Sequence, residues 1–388
     1  MCEGFQIVIP PLRIAQAAPP METVPPEGYG GTERVVAELV TELLRRGHEV
    51  TTFASGDSQV PGELIATVPI ALRPAGHGGD VGGYMLTTVL KVLDRERDFD
   101  IIHSHLEWYS LALRRAATRP IVATWHGRLD LPWSRDAFAD DPPGQVAISE
   151  SQAAVHPNVP WTIVHNGLTL DNAPFERRRN ENLAFVGRVT PEKGIVEAIE
   201  IAKRSDRPLK IAAKVGPTPK EREFDERVFQ PALKAAGSSV EFLGELSGED
   251  RDALFASSYA VLMPGSWPEP FGLVAIEALA CGTPVLARRV GGLNEIIRDG
   301  LDGFFGDDVT ELAFLVDRVA ELDRVAIRAS VIDRFSAARM ADGYEAVYAR
   351  MLGLDGSEPV RAGAAPAGSA PAPAGRVVEM RRGVGSAS

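Results

Sequence analysis

Short runs rich in Val and Ile alternate with amphipathic helical stretches, and the whole alternation occurs twice along the chain. A helix between two strands returns the chain to start the next strand in the same direction, so each series predicts a parallel sheet and an α/β architecture. In the first half the pattern predicts strands at 13–17, 49–53, 101–103, 121–124, 146–148 and 162–164. Val35, Val36, Leu39, Val40, Leu43 and Leu44 fall on one face of a helix between the first two, and Gly47 follows as its stop. A second series begins afresh at 183–186, 209–213, 240–242, 260–263 and 284–287. Between the two lies 171–182, "DNAPFERRRNEN", which is polar, contains a proline and has no apolar period. Ligands of open α/β sheets sit beyond the carboxyl ends of the strands, so two such Rossmann-like domains facing each other create a cleft in which chemistry is to be sought.

The length of 388 residues fits two cores better than one. The predicted organisation is an extension over 1–11, one domain over 12–175, a second over 176–335, and a helix over 336–354 free to pack back on the first domain. The Ala-, Pro- and Gly-rich segment 355–388 cannot bury enough apolar surface to offset its conformational entropy and reads as a disordered tail. No apolar run approaches the roughly 20 residues of a membrane helix. The N-terminus lacks the basic leader and small-residue cleavage site of a signal peptide, so a cytoplasmic location is expected. Two cysteines, Cys2 and Cys281, exclude a disulfide framework and a cysteine-rich metal site. A net charge of −12 argues against a general nucleic-acid binder and leaves room for a local pocket that binds a small anion.

Several local patterns carry chemistry. Gly30 and Gly31 in "YGGTERVV" precede a helix with Thr32 as its expected N-cap. They serve either a tight turn or the close approach of an anion to free backbone N–H groups. In "FVGRVTPEKG", Arg188 lies just past a strand and Lys193 at the start of the next helix, two cations suited to a diphosphate unless both are simply solvated. In "SWPEPFGLVAIEALACG", Glu269 sits in a proline-flanked loop, and Glu277 lies a turn into a helix that is apolar nearly all round. A buried carboxylate there needs donors, either vicinal sugar hydroxyls or a salt bridge. Backbone N–H groups of Phe271, Gly272 and Leu273 would meet a phosphate at the helix start. Together these parts fit a nucleotide-sugar site. His126 in "ATWHGR" follows a strand and is either a site residue or a core histidine satisfied by backbone. His103 and His105 have metal-like spacing without an evident third ligand, and Asp98 and Asp100 precede a strand in a turn; both pairs read as structural, the histidines alternatively at the acceptor edge.

With Glu-x7-Glu at Glu269 and Glu277, "GRVTPEKG" and the glycine pair, the chain resembles a retaining glycosyltransferase of family 4 with the GT-B fold, over roughly residues 12–353. "YGGTERVVAELV", "GHEVTTFASGDS", "IIHSHLEWYSL" and "TWHGRLDLP" further resemble the subgroup near the avilamycin-type glycosyltransferases of antibiotic oligosaccharide assembly. The resemblance implies a first domain on the acceptor side and a second that binds the nucleotide sugar. It implies that Glu277 holds the ribose, that Glu269 contacts donor-sugar hydroxyls, and that Arg188 and Lys193 bind the diphosphate, with Gly30 and Gly31 nearby and His126 over the donor sugar. Also implied are metal-independent transfer and same-face attack with retention. The expected reaction moves a hexose from a UDP-linked sugar to the hydroxyl of a small or glycan acceptor, with no cofactor. An epimerase, a phosphorylase or a non-catalytic nucleotide-sugar sensor on the same fold are the rivals; a phosphorylase would need a lysine aldimine site that nothing in the second domain singles out. Acceptor contacts are expected from loops 56–83 and 129–144.

Overall fold

The computed structural model describes residues 9–28, 30–77, 79–138, 143–178, 180–216 and 218–360. Its first sheet runs β3-β2-β1-β4-β5-β6-β7. The strands are β1 (Arg13–Ala17), β2 (Glu49–Ser55), β3 (Glu63–Val68), β4 (Ile101–Ser104), β5 (Ile121–Trp125), β6 (Gln145–Ala147) and β7 (Thr162–Ile163). The second sheet runs β10-β9-β8-β11-β12-β13. It comprises β8 (Leu183–Arg188), β9 (Leu209–Lys214), β10 (Val240–Gly244), β11 (Ala260–Met263), β12 (Val285–Ala287) and β13 (Gly303–Phe305). Every pairing is parallel. Helices cover both faces, so central strands such as β4 and β5 are buried at every position, the polar His103, Ser104 and Thr124 included.

Both sheets reverse their strand order in the middle, the first between β1 and β4 and the second between β8 and β11. The carboxyl ends at these two switch points open on one cleft, which places His105 and Glu107 after β4 opposite Arg188 at the end of β8.

Two strands escape the sequence pattern. β3 lies inside 56–83, read above as a loop, and is half exposed because it is the sheet edge; β13 has only three residues. Helix α1 (Gly31–Arg45) begins two residues earlier than expected, so its N-cap is Gly30 and not Thr32, which lies within the first turn. Its apolar face is the one predicted, with Val35, Val36, Leu39, Val40 and Leu43 buried.

The chain leaves the second domain beside the point where it entered. Leu168 N–H donates to Phe335 O at 3.0 Å and Ala337 N–H to Leu168 O at 2.9 Å. The C-terminal helix Ala337–Leu352 then lies on the first domain against α1 and β5. Arg46 pairs with Asp342 at 2.8 Å and with Glu345, whose other oxygen meets His48 Nε2 at 2.9 Å. Tyr344 and Tyr348 of this helix are fully buried beneath it. Of the predicted N-terminal extension, residues 1–8 lie outside the described residues, and Ile9 packs on the core; of the predicted tail, 361–388 lie outside them. Among the described residues no helix is long and apolar enough to cross a membrane.

Candidate active site

The cleft between the domains encloses about 640 Å³, within the range of small-molecule sites. Gly30, Gly31, His126, Arg188, Lys193, Glu269, Phe271, Gly272, Leu273 and Glu277 all line it.

On the second-domain wall the charges are already matched. Arg188, the last residue of β8 rather than a residue beyond it, bonds Glu221 at 2.9 Å. Lys193 pairs with Glu269 and lies 5.2 Å from the Trp267 ring centre. Lys193 closes a short 3-10 turn, Pro191–Lys193, rather than opening the following helix. Gly194 then turns the chain at φ +74°, and a Cβ there would come within 2.7 Å of the Gly265 backbone, so glycine lets the Lys193 turn press on the loop after β11. Gly292 N–H donates to Glu269 O at 2.8 Å and fixes that loop in turn.

Glu277 lies in the helix Leu273–Ala280 and is 6% exposed. Its carboxylate accepts from Arg34 of α1 and from Arg251 at 3.0 Å. The burial expected from the sequence is present, and in this structure the salt bridge, not a sugar hydroxyl, satisfies it. Neither arginine was legible as its partner in the sequence, and Arg34 comes from the other domain. The glycine pair also meets protein atoms: a Cβ on Gly30 would lie 2.7 Å from the Pro26 side chain, and one on Gly31 would lie 3.2 Å from Leu273 of the facing domain.

The first-domain wall is organised differently. His126, just past β5, meets His105 Nδ1 through its Nε2 at 2.9 Å, and His105 Nε2 meets Gln16 Oε1 at 2.9 Å. Gln16 Nε2 reaches Tyr348 OH at 3.2 Å and His103 Nδ1 at 3.3 Å; the same His103 Nδ1 lies 2.8 Å from Tyr348 OH. His103 Nε2 meets Thr124 Oγ1 at 2.8 Å, and Thr124 meets Tyr344 OH at 3.0 Å. A buried chain of hydrogen bonds thus runs from the cleft through β4, β1 and β5 to the C-terminal helix.

Burial lowers all three histidines, His126 to about 3 and His103 and His105 well below the ordinary range, so all are neutral at pH 7. An amide oxygen only accepts, so His105 carries its proton on Nε2 and donates it to Gln16. His105 Nδ1 must then accept from His126 Nε2–H, which leaves His126 Nδ1 as the unprotonated nitrogen. His103 and His105 are therefore second members of a relay rather than ligands, and among the described residues no cluster of three or more metal-ligating side chains occurs. Asp98 and Asp100 lie at the opposite end of β4: Asp100 accepts from the Arg13 backbone at 2.9 Å and guanidinium at 2.7 Å, and Asp98 pairs with Arg95.

Two carboxyl groups of this wall escaped the sequence reading. Glu33, in the first turn of α1, is 4% exposed, and burial pushes its pKa up to about 7. Glu107 accepts from the backbone N–H of His126 at 3.0 Å, and burial likewise pushes it up to about 7 against the pull of backbone N–H groups at His126 and Gly127. Both line the cleft.

Two family models match the chain in series: Glycosyltransferase Family 4 over residues 29–172 and Glycosyl transferases group 1 over 170–329. D-inositol 3-phosphate glycosyltransferase of Mycobacterium leprae is 30% identical, with 84% of this chain and 89% of that protein aligned. This chain is a family 4 glycosyltransferase of the GT-B fold. Among solved structures, the family 4 enzyme is similar to AviGT4, a glycosyltransferase involved in avilamycin A biosynthesis. That likeness covers 88% of this chain and 98% of AviGT4 at 26% identity and a TM-score of 0.64. HepE of Anabaena, solved with UDP and glucose, shares the fold at 20% identity and a TM-score of 0.66, over 86% of this chain and 98% of its own.

Proposed function

We propose that this glycosyltransferase takes its sugar from a nucleoside diphosphate sugar, UDP-linked, and passes it to an acceptor hydroxyl with retention of anomeric configuration. The observation that carries this reading is the pairing on the second-domain wall. Lys193–Glu269 and Arg188–Glu221 are cation–carboxylate pairs at the switch point of a parallel sheet. A diphosphate entering there takes over the cations and frees Glu269 for the hydroxyls of the sugar. The amides of Phe271, Gly272 and Leu273 open the helix that carries Glu277, so the same helix offers N–H groups to phosphate and a carboxylate to ribose. Gly30 and Gly31 stand across the cleft from this helix. As the donor bond breaks, negative charge grows on the departing diphosphate, where Arg188 and Lys193 act most strongly. The reading includes neither a metal nor a cofactor, and it places the enzyme in the cytoplasm.

Retention is supported by the state of His126. Its Nε2 proton is committed to His105 and its ring resists protonation, so it is a poor general base for an inverting attack. The free Nδ1 suits a hydroxyl of the donor sugar instead. The departing diphosphate oxygen then takes the acceptor's proton, on the face that it vacates.

The test is incubation of the full chain with UDP-, GDP- and ADP-linked sugars and mixed hydroxyl acceptors, with the product anomer read by proton NMR. An α-linked gluco donor is expected to give an α product. A β product overturns retention, and interconversion of donor sugars without an acceptor product favours the epimerase.

A further inference from the structure

Glu107 and Glu33 stand apart from the cleft carboxylates that are paired with cations, and of the two only Glu107 sits on strained backbone. Glu269 and Glu277 are paired with cations, as described, Glu245 meets Lys214 at 3.1 Å, and Glu192 lies 3.9 Å from Arg188. Glu107 has no ion pair among the described residues; its bonds are to backbone N–H groups alone. Its backbone is held at φ +50°, in the left-handed region where a side chain is strained and glycine is at ease. A sequence that keeps a carboxylate on strained backbone, in a cleft, uses that carboxylate. Gly127 adds to this: a Cβ there would lie 3.4 Å from Glu107 Oε2 and cover it, and the glycine leaves that side open.

The neighbours of Glu107 complete a subsite on the first domain. Val81 and Met85, at the start of helix α2 (Gly82–Asp94), line the first-domain side of the cleft with Tyr109, whose hydroxyl a Cβ on Gly82 would meet at 3.0 Å, and the carboxylate of Glu107 rests on the backbone of His126. The cations that the first domain brings to the cleft, Arg73 and Arg34, are already bonded to Glu22 at 3.3 Å and to Glu277. Neither is paired with Glu107.

We propose that Glu107 is the acceptor-binding residue of this cleft, receiving the hydrogen bond of an attacking hydroxyl on a neutral polyol or sugar rather than on a phosphorylated one. The inference rests on the transfer reading above. In the step, the bond from the anomeric carbon to the diphosphate oxygen breaks and one to the acceptor oxygen forms. The acceptor's proton goes to the diphosphate, and Glu107 stays ionised and orients the hydroxyl throughout. Glu107, ionised and without a cation partner among the described residues, opposes a phosphate on the acceptor beside it.

The groups that face Glu107 are His126 and, behind it, His105, both neutral near pH 7, with Tyr109 on its own segment. The remaining cleft carboxyl of similar pKa is Glu33 on α1. Protonation of Glu107 removes the acceptor of the hydrogen bond, so kcat/KM for the acceptor should fall as the pH drops below about 7.

The experiment compares the parent with Glu107→Gln and Glu107→Asp, using whichever of the UDP-, GDP- and ADP-sugars the parent turns over. The acceptors are glycerol, myo-inositol and glucose, each against its monophosphate, at pH 8. Glu107→Gln keeps an oxygen for the backbone N–H of His126, so a purely structural role would leave it active. The expected result is an acceptor KM raised at least tenfold in Glu107→Gln, an unchanged donor KM, loss of the acid limb, partial recovery in Glu107→Asp, and at least tenfold preference of the parent for the neutral acceptors. An unchanged acceptor KM, a rise in donor KM instead, or a preference for the monophosphates overturns the proposal. Should both variants fail to fold, the parent's own pH profile and acceptor preference decide it. No turnover of any donor by the parent strikes at the transfer reading itself.

Discussion

The two walls of the cleft are built from opposite materials. On the second domain, cations and carboxylates are paired within reach of one another, and even Glu277 borrows Arg34 from across the cleft. On the first domain, the polar groups are neutral histidines, an amide and tyrosines in one hydrogen-bonded chain, with two carboxyls that burial pushes up to about 7. Paired charges can be re-paired, which suits the arrival of a dianionic ligand at little desolvation cost. Neutral rings already bonded to one another cannot absorb such charge, but their bonds hold His126 in one tautomer. Under the proposed function the difference is a division of labour, with the donor's charge on one wall and the geometry of transfer on the other.

Breaking the charged wall should have the largest effect. Glu277→Ala leaves Arg34 without its carboxylate and Arg251 with Asp252 alone, at 3.3 Å. It should destabilise the fold by about 3 kcal/mol or more, measured by urea denaturation; Glu277→Gln should retain more stability and still lose nucleotide affinity. If Glu277→Gln binds UDP like the parent while Glu269→Gln loses it, the two roles are reversed.

On the neutral wall, His126→Ala should lower kcat by about 10- to 100-fold, the scale of one lost hydrogen bond to a reacting sugar. UDP affinity should stay within about twofold and the product anomer should not change. A variant that mainly weakens UDP would erase the distinction between the walls.

Tyr348→Phe removes a hydroxyl from the far end of the relay, where it meets His103 and Gln16. We expect a loss of about 1–2 kcal/mol in stability and a smaller fall in kcat, several-fold. Unchanged turnover would make the relay a matter of core packing alone.

Glu33→Gln sharpens the comparison through stability. A carboxyl whose folded pKa is raised from near 4.5 to about 7 costs stability above pH 7, and the cost vanishes as the pH falls to 4.5. The variant should therefore melt higher than the parent at pH 8, and the gap should close toward pH 5. Smallest of all should be the effect of EDTA on transfer, which is expected to be nil; activity lost on chelation and restored by manganese would overturn metal-independent transfer.

The two-domain plan was legible because strand and helix periods are local, and the charged wall of the cleft because Glu269, Glu277, Arg188 and Lys193 sit in short motifs at strand ends and helix starts. What was not legible is pairing across sequence. Arg34 meets Glu277 over 243 positions, and His105 meets His126 over 21. Glu107 carried no local signal, because the N–H that holds it is 19 residues away. β3 was hidden by its edge exposure among glycines, and Thr32 is not the cap because the helix starts two residues early, at Gly31, with Gly30 close on Pro26.

Titration of UDP into the parent and into Lys193→Ala by calorimetry tests the central claim most directly, since Lys193 is the cation that a diphosphate must take from Glu269. The account predicts measurable binding by the parent and a loss of about 1.5–3 kcal/mol in the variant, roughly 10- to 150-fold in Kd. Equal affinity in the two proteins, with the fold of the variant intact, would contradict it.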